Sequence, residues 1–233
     1  MFKRPHHQRI ATVLQSLNSE LLLENHCYFG GGTAITLCYK EFRESVDMDF
    51  LVSDLGCYRT LRQLLTGPEG INAIRRPEAM TLKQQKEIRA DQYGLRTTLL
   101  LDDHPIKFEI ILEGRITLED PRKSDQLCGI VTLTRLDMAT SKLLANSDRW
   151  ADASVFSRDV IDLAMMSPSK ELLKTAITKA QIAYGNAIDR DLNKAIEKLT
   201  TQDNWLDRCI VAMGIDMPKA LIWKNLQRLK QSV

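Results

Sequence analysis

The chain has 233 residues, 44% hydrophobic and 27% charged, with a net charge of +2. That length suits one sizeable domain, or one with a smaller appendage, and the near-neutral charge gives no bulk drive towards nucleic acid, leaving only local patches. The five cysteines (Cys27, Cys38, Cys57, Cys128, Cys209) contain no CxxC pair, which argues against a disulfide framework or a structural zinc site.

In chain order, "MFKRPHHQRI" lacks the apolar stretch of a secretory signal, and no run approaches the roughly 18 apolar residues of a membrane span. The expectation is a cytoplasmic protein with no membrane partner. Residues 8–24 carry Ile10, Val13, Leu14, Leu17 and Leu21 at helical spacing. "HCYF" (26–29) reads as a short strand entering three glycines, and Thr33 as the N-cap of the next helix, whose face is Ala34, Leu37, Cys38 and Phe42. "SVDMDFLV" (45–52) reads as a strand and 58–66 as a helix. "YGLRTTLLL" and "IKFEIIL" flank "DDHP" as a hairpin, and "GIVTL" is a further strand. After Thr134 the pattern is helical, with segments at 135–146, 154–166, 168–184, 189–199, 204–213 and 218–230 broken at Ser167-Pro168 and Gly214. The expected architecture is α/β (α+β), a mixed sheet flanked by helices over 1–133. A helical region follows over 134–233, its first part (134–163) completing a site and its remainder (168–233) forming a tail.

The stretch "FGGGTAITLCYKEFRESVDMDF" (29–50) holds the first chemistry. Glycines before a helix let backbone N–H groups approach an anion, and the helix start favours a phosphate. The pattern is neither GxxxxGK[ST] nor GxGxxG, so taken alone it is equally a tight turn before a capped helix. Asp47 and Asp49 share one face of their strand with Ser45, while Val46, Met48 and Phe50 point to the core. Two adjacent carboxylates repel unless a cation lies between them, and a divalent metal suits that role; a solvated acidic edge is the plain alternative. In "IKFEIIL" the apolar face is Ile106, Phe108, Ile110 and Leu112, with Lys107 and Glu109 opposite. If the two strands lie side by side, Glu109 completes a three-carboxylate site for one or two metal ions.

These residues resemble the signature of the DNA-polymerase-β-like nucleotidyltransferases: Gly-Ser or Gly-Thr, a helix, then Asp-x-Asp on a strand. More narrowly, the chain is similar to the AbiEii/AbiGii group of abortive-infection toxins, which adds Lys-(Ile/Leu)-x-Ala-Leu-x-x-Arg and a later Asp-x-x-Asp. Here "KLLANSDR" runs from Lys142 to Arg149 and "DVID" from Asp159 to Asp162. The resemblance covers roughly 27–163. Asn146 stands where the group has leucine, and Glu109 where aspartate is commoner.

The resemblance implies a nucleotidyltransferase that moves an NMP from an NTP to an acceptor hydroxyl. Asp47, Asp49 and Glu109 would hold Mg²⁺ or Mn²⁺. Gly31, Gly32, Thr33, Arg43, Ser45, Lys142, Arg149 and Asp162 would bind the nucleotide. Lys142 and Asp159 join the three carboxylates as catalytic groups, Asp159 orienting Lys142 or accepting the acceptor's proton. Read without the resemblance, Lys142 is an ordinary helix-surface lysine and Asp159 favours a helix start electrostatically. The implied acceptor is RNA, tRNA in particular, and the implied role is the toxin of a toxin–antitoxin pair with a separately encoded antitoxin. Alternatives are a small-molecule or protein acceptor, and a catalytically silent nucleotide-sensing or partner-binding module. The basic side of 218–230 (Lys219, Lys224, Arg228, Lys230) is read either as an RNA contact or as a solvated face.

Overall fold

The structure, a computed structural model, describes residues 2–232, which divide into two compact units. The first comprises residues up to Cys38 together with Ser45–Thr134; the second comprises Tyr39–Glu44 and everything from Arg135 onward.

The first unit is built on a six-stranded mixed sheet with the order β1-β2-β6-β5-β3, β4 also pairing with β5. Its strands are β1 (Tyr28–Gly30), β2 (Met48–Val52), β3 (Lys83–Gln84), β4 (Arg89–Ala90), β5 (Gly94–Leu101) and β6 (His104–Leu112). Strands β2 and β6 are parallel, and the other pairs are antiparallel. The β5–β6 hairpin turns on Asp102 and Asp103, both at positive φ (50° and 61°), the conformation a two-residue hairpin turn needs and aspartate tolerates. Strands β7 (Gln126–Leu127) and β8 (Ile130–Val131) form a separate two-stranded sheet.

Alternation along the strands puts apolar side chains on one face of the six-stranded sheet. Phe29, Phe50 and Phe108 stack across β1, β2 and β6 with ring centroids 5.3 Å apart at each step, and all three are buried. Helices α1 (Pro5–Ser16), α2 (Ser19–Glu24), α3 (Gly31–Cys38) and α4 (Leu55–Leu65) complete this unit. The continuous helix expected over 8–24 is instead two. Leu17 is extended (ψ 151°), and Asn18 caps α2 by accepting from the Leu21 N–H, so a good capping residue restarts the chain. Val46, expected in the core, is 43% exposed because β2 begins only at Met48.

The second unit is helical: α5 (Arg135–Arg149), α6 (Arg158–Met166), α7 (Lys170–Tyr184), α8 (Ala187–Thr201), α9 (Trp205–Ala212) and α10 (Lys219–Lys230). Helix α5 packs against α6, α7 and α8, and α10 against α6 and α8. Ser169 caps α7, and Gly185 and Gly214 take positive φ where α7 and α9 end. Tyr39–Glu44 belongs to this unit through backbone bonds: Glu44 N–H donates to the Met213 carbonyl and Asp216 N–H to that of Phe42. No helix among the described residues is long and apolar enough to cross a membrane.

Candidate active site

In the first unit the polar face of the sheet carries a row of residues fixed by register. Gly30 is partnered with Asp49, Asp49 with Glu109, Glu109 with Arg96, and Arg96 with Arg89, across β1, β2, β6, β5 and β4. Neighbouring strands lie about 4.8 Å apart, so Asp49 and Glu109, 60 residues apart in sequence, are adjacent through backbone pairing alone. The expected alignment of 45–52 with 106–112 is therefore present. Asp47 lies just before β2 and lines the same cleft as Glu109, of about 690 Å³, with Arg96 and Lys107.

The approach to Asp47 is held in place. Thr33 Oγ1 donates to Ser45 Oγ (2.8 Å), Ser45 N–H donates to His7 Nε2 (3.3 Å), and His6 Nε2 lies 3.0 Å from the Val46 carbonyl. Thr33 is therefore not the N-cap expected. Helix α3 begins at Gly31, and Thr33 is buried inside its first turn, fastening the strand approach by its hydroxyl. Gly31 has φ +67°, and a Cβ there would overlap the Asp49 carboxylate, so only glycine lets the acid lie against the helix start. Gly32 follows in the same turn.

The three carboxylates differ in what surrounds them. Asp47 has no ion pair or side-chain hydrogen bond among the described residues. Glu109 is held by Lys107 Nζ at 2.9 Å, with Arg96 Nε at 3.6 Å. The bond to Glu109 is the main cause that raises the Lys107 ammonium above its ordinary pKa. Among the described residues no three acid, histidine or cysteine side chains converge tightly enough to enclose an ion as they stand. The donor set itself, three carboxylates on one polar face, has the hard oxygen chemistry that Mg²⁺ and Mn²⁺ take. Lys107 and Arg96 were not anticipated as partners of Glu109; the alternation in "GLRTT" that places Arg96 on the polar face was the available signal.

The second unit holds a different arrangement. Lys142 and Arg149 lie two turns apart on α5, and Asp159 and Asp162 share a face of α6. Lys142 Nζ reaches Asp159 Oδ1 at 2.9 Å and Asp162 Oδ2 at 2.7 Å. Arg149 donates twice to Asp159 (2.7 and 2.9 Å), and Arg43 twice to Asp162 (2.7 and 2.8 Å). Burial opposes charge on Lys142, but Asp162 and Asp159 overcome it and raise its pKa. Burial likewise pushes the Asp159 carboxyl up, yet Lys142 and Arg149 outweigh that and hold it well below the usual carboxylate range. Three cations over two carboxylates leave the network formally positive by one. Beside it on α5, the amide nitrogen of Asn146 is buried without a hydrogen-bond partner among the described residues.

The structure thus brings Gly31, Thr33, Ser45, Asp47, Asp49 and Glu109 together in the first unit. It brings Arg43, Lys142, Arg149, Asp159 and Asp162 together in the second. The model of the family described as nucleotidyl transferase AbiEii toxin, type IV toxin–antitoxin system, matches residues 12–218. Two Helicobacter pylori crystal structures share the fold. One is of a candidate nucleotidyltransferase (TM-score 0.54, 18% identity, covering 97% of this chain and 91% of that one). The other is of JHP933 (TM-score 0.56, 17% identity, covering 100% and 91%). No curated relative matches the chain.

Proposed function

The chain belongs to the AbiEii nucleotidyltransferase toxin family, and from that premise we propose that it transfers a nucleoside monophosphate from an NTP to a hydroxyl of RNA, tRNA being the favoured class. The observation that carries this reading is the register pairing of Asp49 with Glu109, with Asp47 opening on the same cleft. Asp47, Asp49 and Glu109 would hold Mg²⁺ or Mn²⁺, which would supply Lewis-acid polarisation of the α-phosphate and charge for the departing pyrophosphate. The acceptor oxygen forms the new bond to the α-phosphorus as the α–β bridge bond breaks. Its proton passes to a carboxylate of this set, Asp47 being the one with no ion pair or side-chain hydrogen bond among the described residues.

The remaining residues bind and position. The start of α3 offers backbone N–H groups at Gly31 and Gly32 to an anion, and Thr33 and Ser45 hold the strand approach that aims Asp47. In the second unit, Lys142, Arg149 and Arg43 form a network with a formal charge of +1 that suits an anion, with Asp159 fixing Lys142 and Arg149 and Asp162 fixing Lys142 and Arg43. Family membership further implies a separately encoded antitoxin as partner.

The test is incubation of the purified chain with labelled NTPs, Mg²⁺ and total tRNA. Label on tRNA from the wild type but not from an Asp47→Ala/Asp49→Ala variant supports the reading. No label on tRNA, or equal label from both proteins, overturns it.

A further inference from the structure

We infer that the outer wall of the carboxylate cleft, formed by Lys86 and Arg89 and continued inward by Arg96, seats the phosphates of the acceptor polynucleotide next to its terminal hydroxyl. This rests on the nucleotidyltransferase reading and adds to it the side from which the acceptor enters and the residues that hold it.

The polar row has a direction. Read across the sheet it runs Gly30, Asp49, Glu109, Arg96, Arg89. The glycine turn and helix start lie at one end, the carboxylates in the middle and two arginines at the other end. A reaction at the carboxylates needs an anionic nucleotide on one side and an acceptor on the other. The glycine end suits the compact triphosphate. The arginine end extends two strand spacings from Glu109, about 10 Å, far enough to engage phosphates beyond the terminal nucleotide. A small-molecule acceptor would not need that reach.

The local backbone supports the assignment. Residues 83–90 run along the edge of β5, but five steps from Gln84 to Arg89 oppose only three from Leu99 to Arg96. The two extra residues form a bulge, secured by Gln85 N–H to the Thr98 carbonyl (2.8 Å) and Thr97 Oγ1 to the Lys86 carbonyl (2.6 Å). Bulges re-aim side chains beside active sites and blunt sheet edges. This one puts Lys86 and Arg89 on the cleft wall, both exposed.

Lys86 and Arg89 differ from the other cations of the cleft. Arg96 is engaged by Asp91 at 2.8 Å as well as by Glu109, and Asp91 also accepts from the Tyr93 and Gly94 N–H groups. Lys107 is engaged by Glu109. Lys86 and Arg89 have no ionic partner among the described residues, and Glu87 between them is the acid set against them on that wall. Unpaired exposed cations beside a reactive centre suit a polyanion, whose binding falls with salt as counterions are released.

The experiment compares the wild type with Lys86→Gln/Arg89→Gln in the transfer assay, varying tRNA, NTP and salt separately, with thermal melts of both. Neither residue is part of the carboxylate set, and both side chains are exposed, so the melts should coincide; if they do not, the single variants Lys86→Gln and Arg89→Gln, each with a wild-type melt, decide by the same KM and salt-slope readout. The expected result is a KM for tRNA raised at least tenfold, with kcat and the NTP KM unchanged. The logarithmic salt slope of tRNA binding should fall by about 1.4, two contacts at about 0.7 each for a single strand. The charge-retaining Lys86→Arg/Arg89→Lys variant should keep the wild-type KM. Transfer to tRNA with an unaltered KM and slope in the Gln variant overturns this inference and leaves the proposed function standing. Absence of wild-type transfer to tRNA, or transfer only to protein or small-molecule hydroxyls, overturns both.

Discussion

The two units hold similar numbers of charged site residues and treat them in opposite ways. In the first, Asp47 faces a cleft with no ion pair or side-chain hydrogen bond among the described residues, and Glu109 is steadied by a lysine that is itself half exposed. In the helical unit, Asp159 and Asp162 each receive three charged hydrogen bonds or ion contacts, and both are buried. A charge left uncompensated at a surface costs little while water solvates it and is available to a ligand. A charge taken out of water must be matched where it stands. The carboxylates of the sheet are therefore placed for something that arrives, and the helical network is assembled in advance.

That contrast predicts different consequences for single substitutions. The largest should fall on the helical network. Asp162→Ala strips Lys142 and Arg43 of a buried partner and should cost about 3–5 kcal/mol of stability, read from chemical denaturation. A loss below about 1 kcal/mol would mean that the network is not the matched structure described. Asp47→Asn should do the reverse. Transfer should drop by at least about 10²–10³-fold, the scale for losing one preorganised charged group, while the melting temperature stays within a degree or two because no bond is broken. Gly31→Ala should sit between them. The left-handed φ costs about 1–2 kcal/mol, and displacement of Asp49 by the new methyl should lower activity beyond what that destabilisation explains. Asn146→Leu should go the other way, gaining about 1 kcal/mol by removing a buried amide nitrogen that has no hydrogen-bond partner among the described residues, with transfer unaffected.

Much of this was legible in the sequence because it depends on period. The two-residue alternation of "VDMDF" and "IKFEI" separates acids from core residues, and register then does the rest. The i, i+3 spacing of Asp159 and Asp162 likewise sets them on one helical face. What stayed hidden depends on pairing between distant segments. Nothing in "LKQQKEIRA" announces an edge strand with a bulge, since two short pairings of two residues each carry no periodic signal. The break at Leu17 was missed because apolar periodicity runs through it, while Asn18 can cap and does. Thr33 has the composition of an N-cap, but the glycine before it starts the helix two residues earlier. Arg43 lies too far in sequence from Asp162 for local reasoning to join them, and only the inclusion of 39–44 in the helical unit explains the pair.

Asp47, Asp49 and Glu109 are proposed to hold a divalent metal. That assignment is tested most directly by calorimetric titration of Mn²⁺ into the wild type, Asp47→Asn/Asp49→Asn and Lys107→Met. The wild type should bind Mn²⁺ and the double variant should not. Removing the cation that competes for Glu109 should tighten binding by up to about fivefold, the worth of an exposed ion pair. Undiminished Mn²⁺ binding by Asp47→Asn/Asp49→Asn would contradict the assignment.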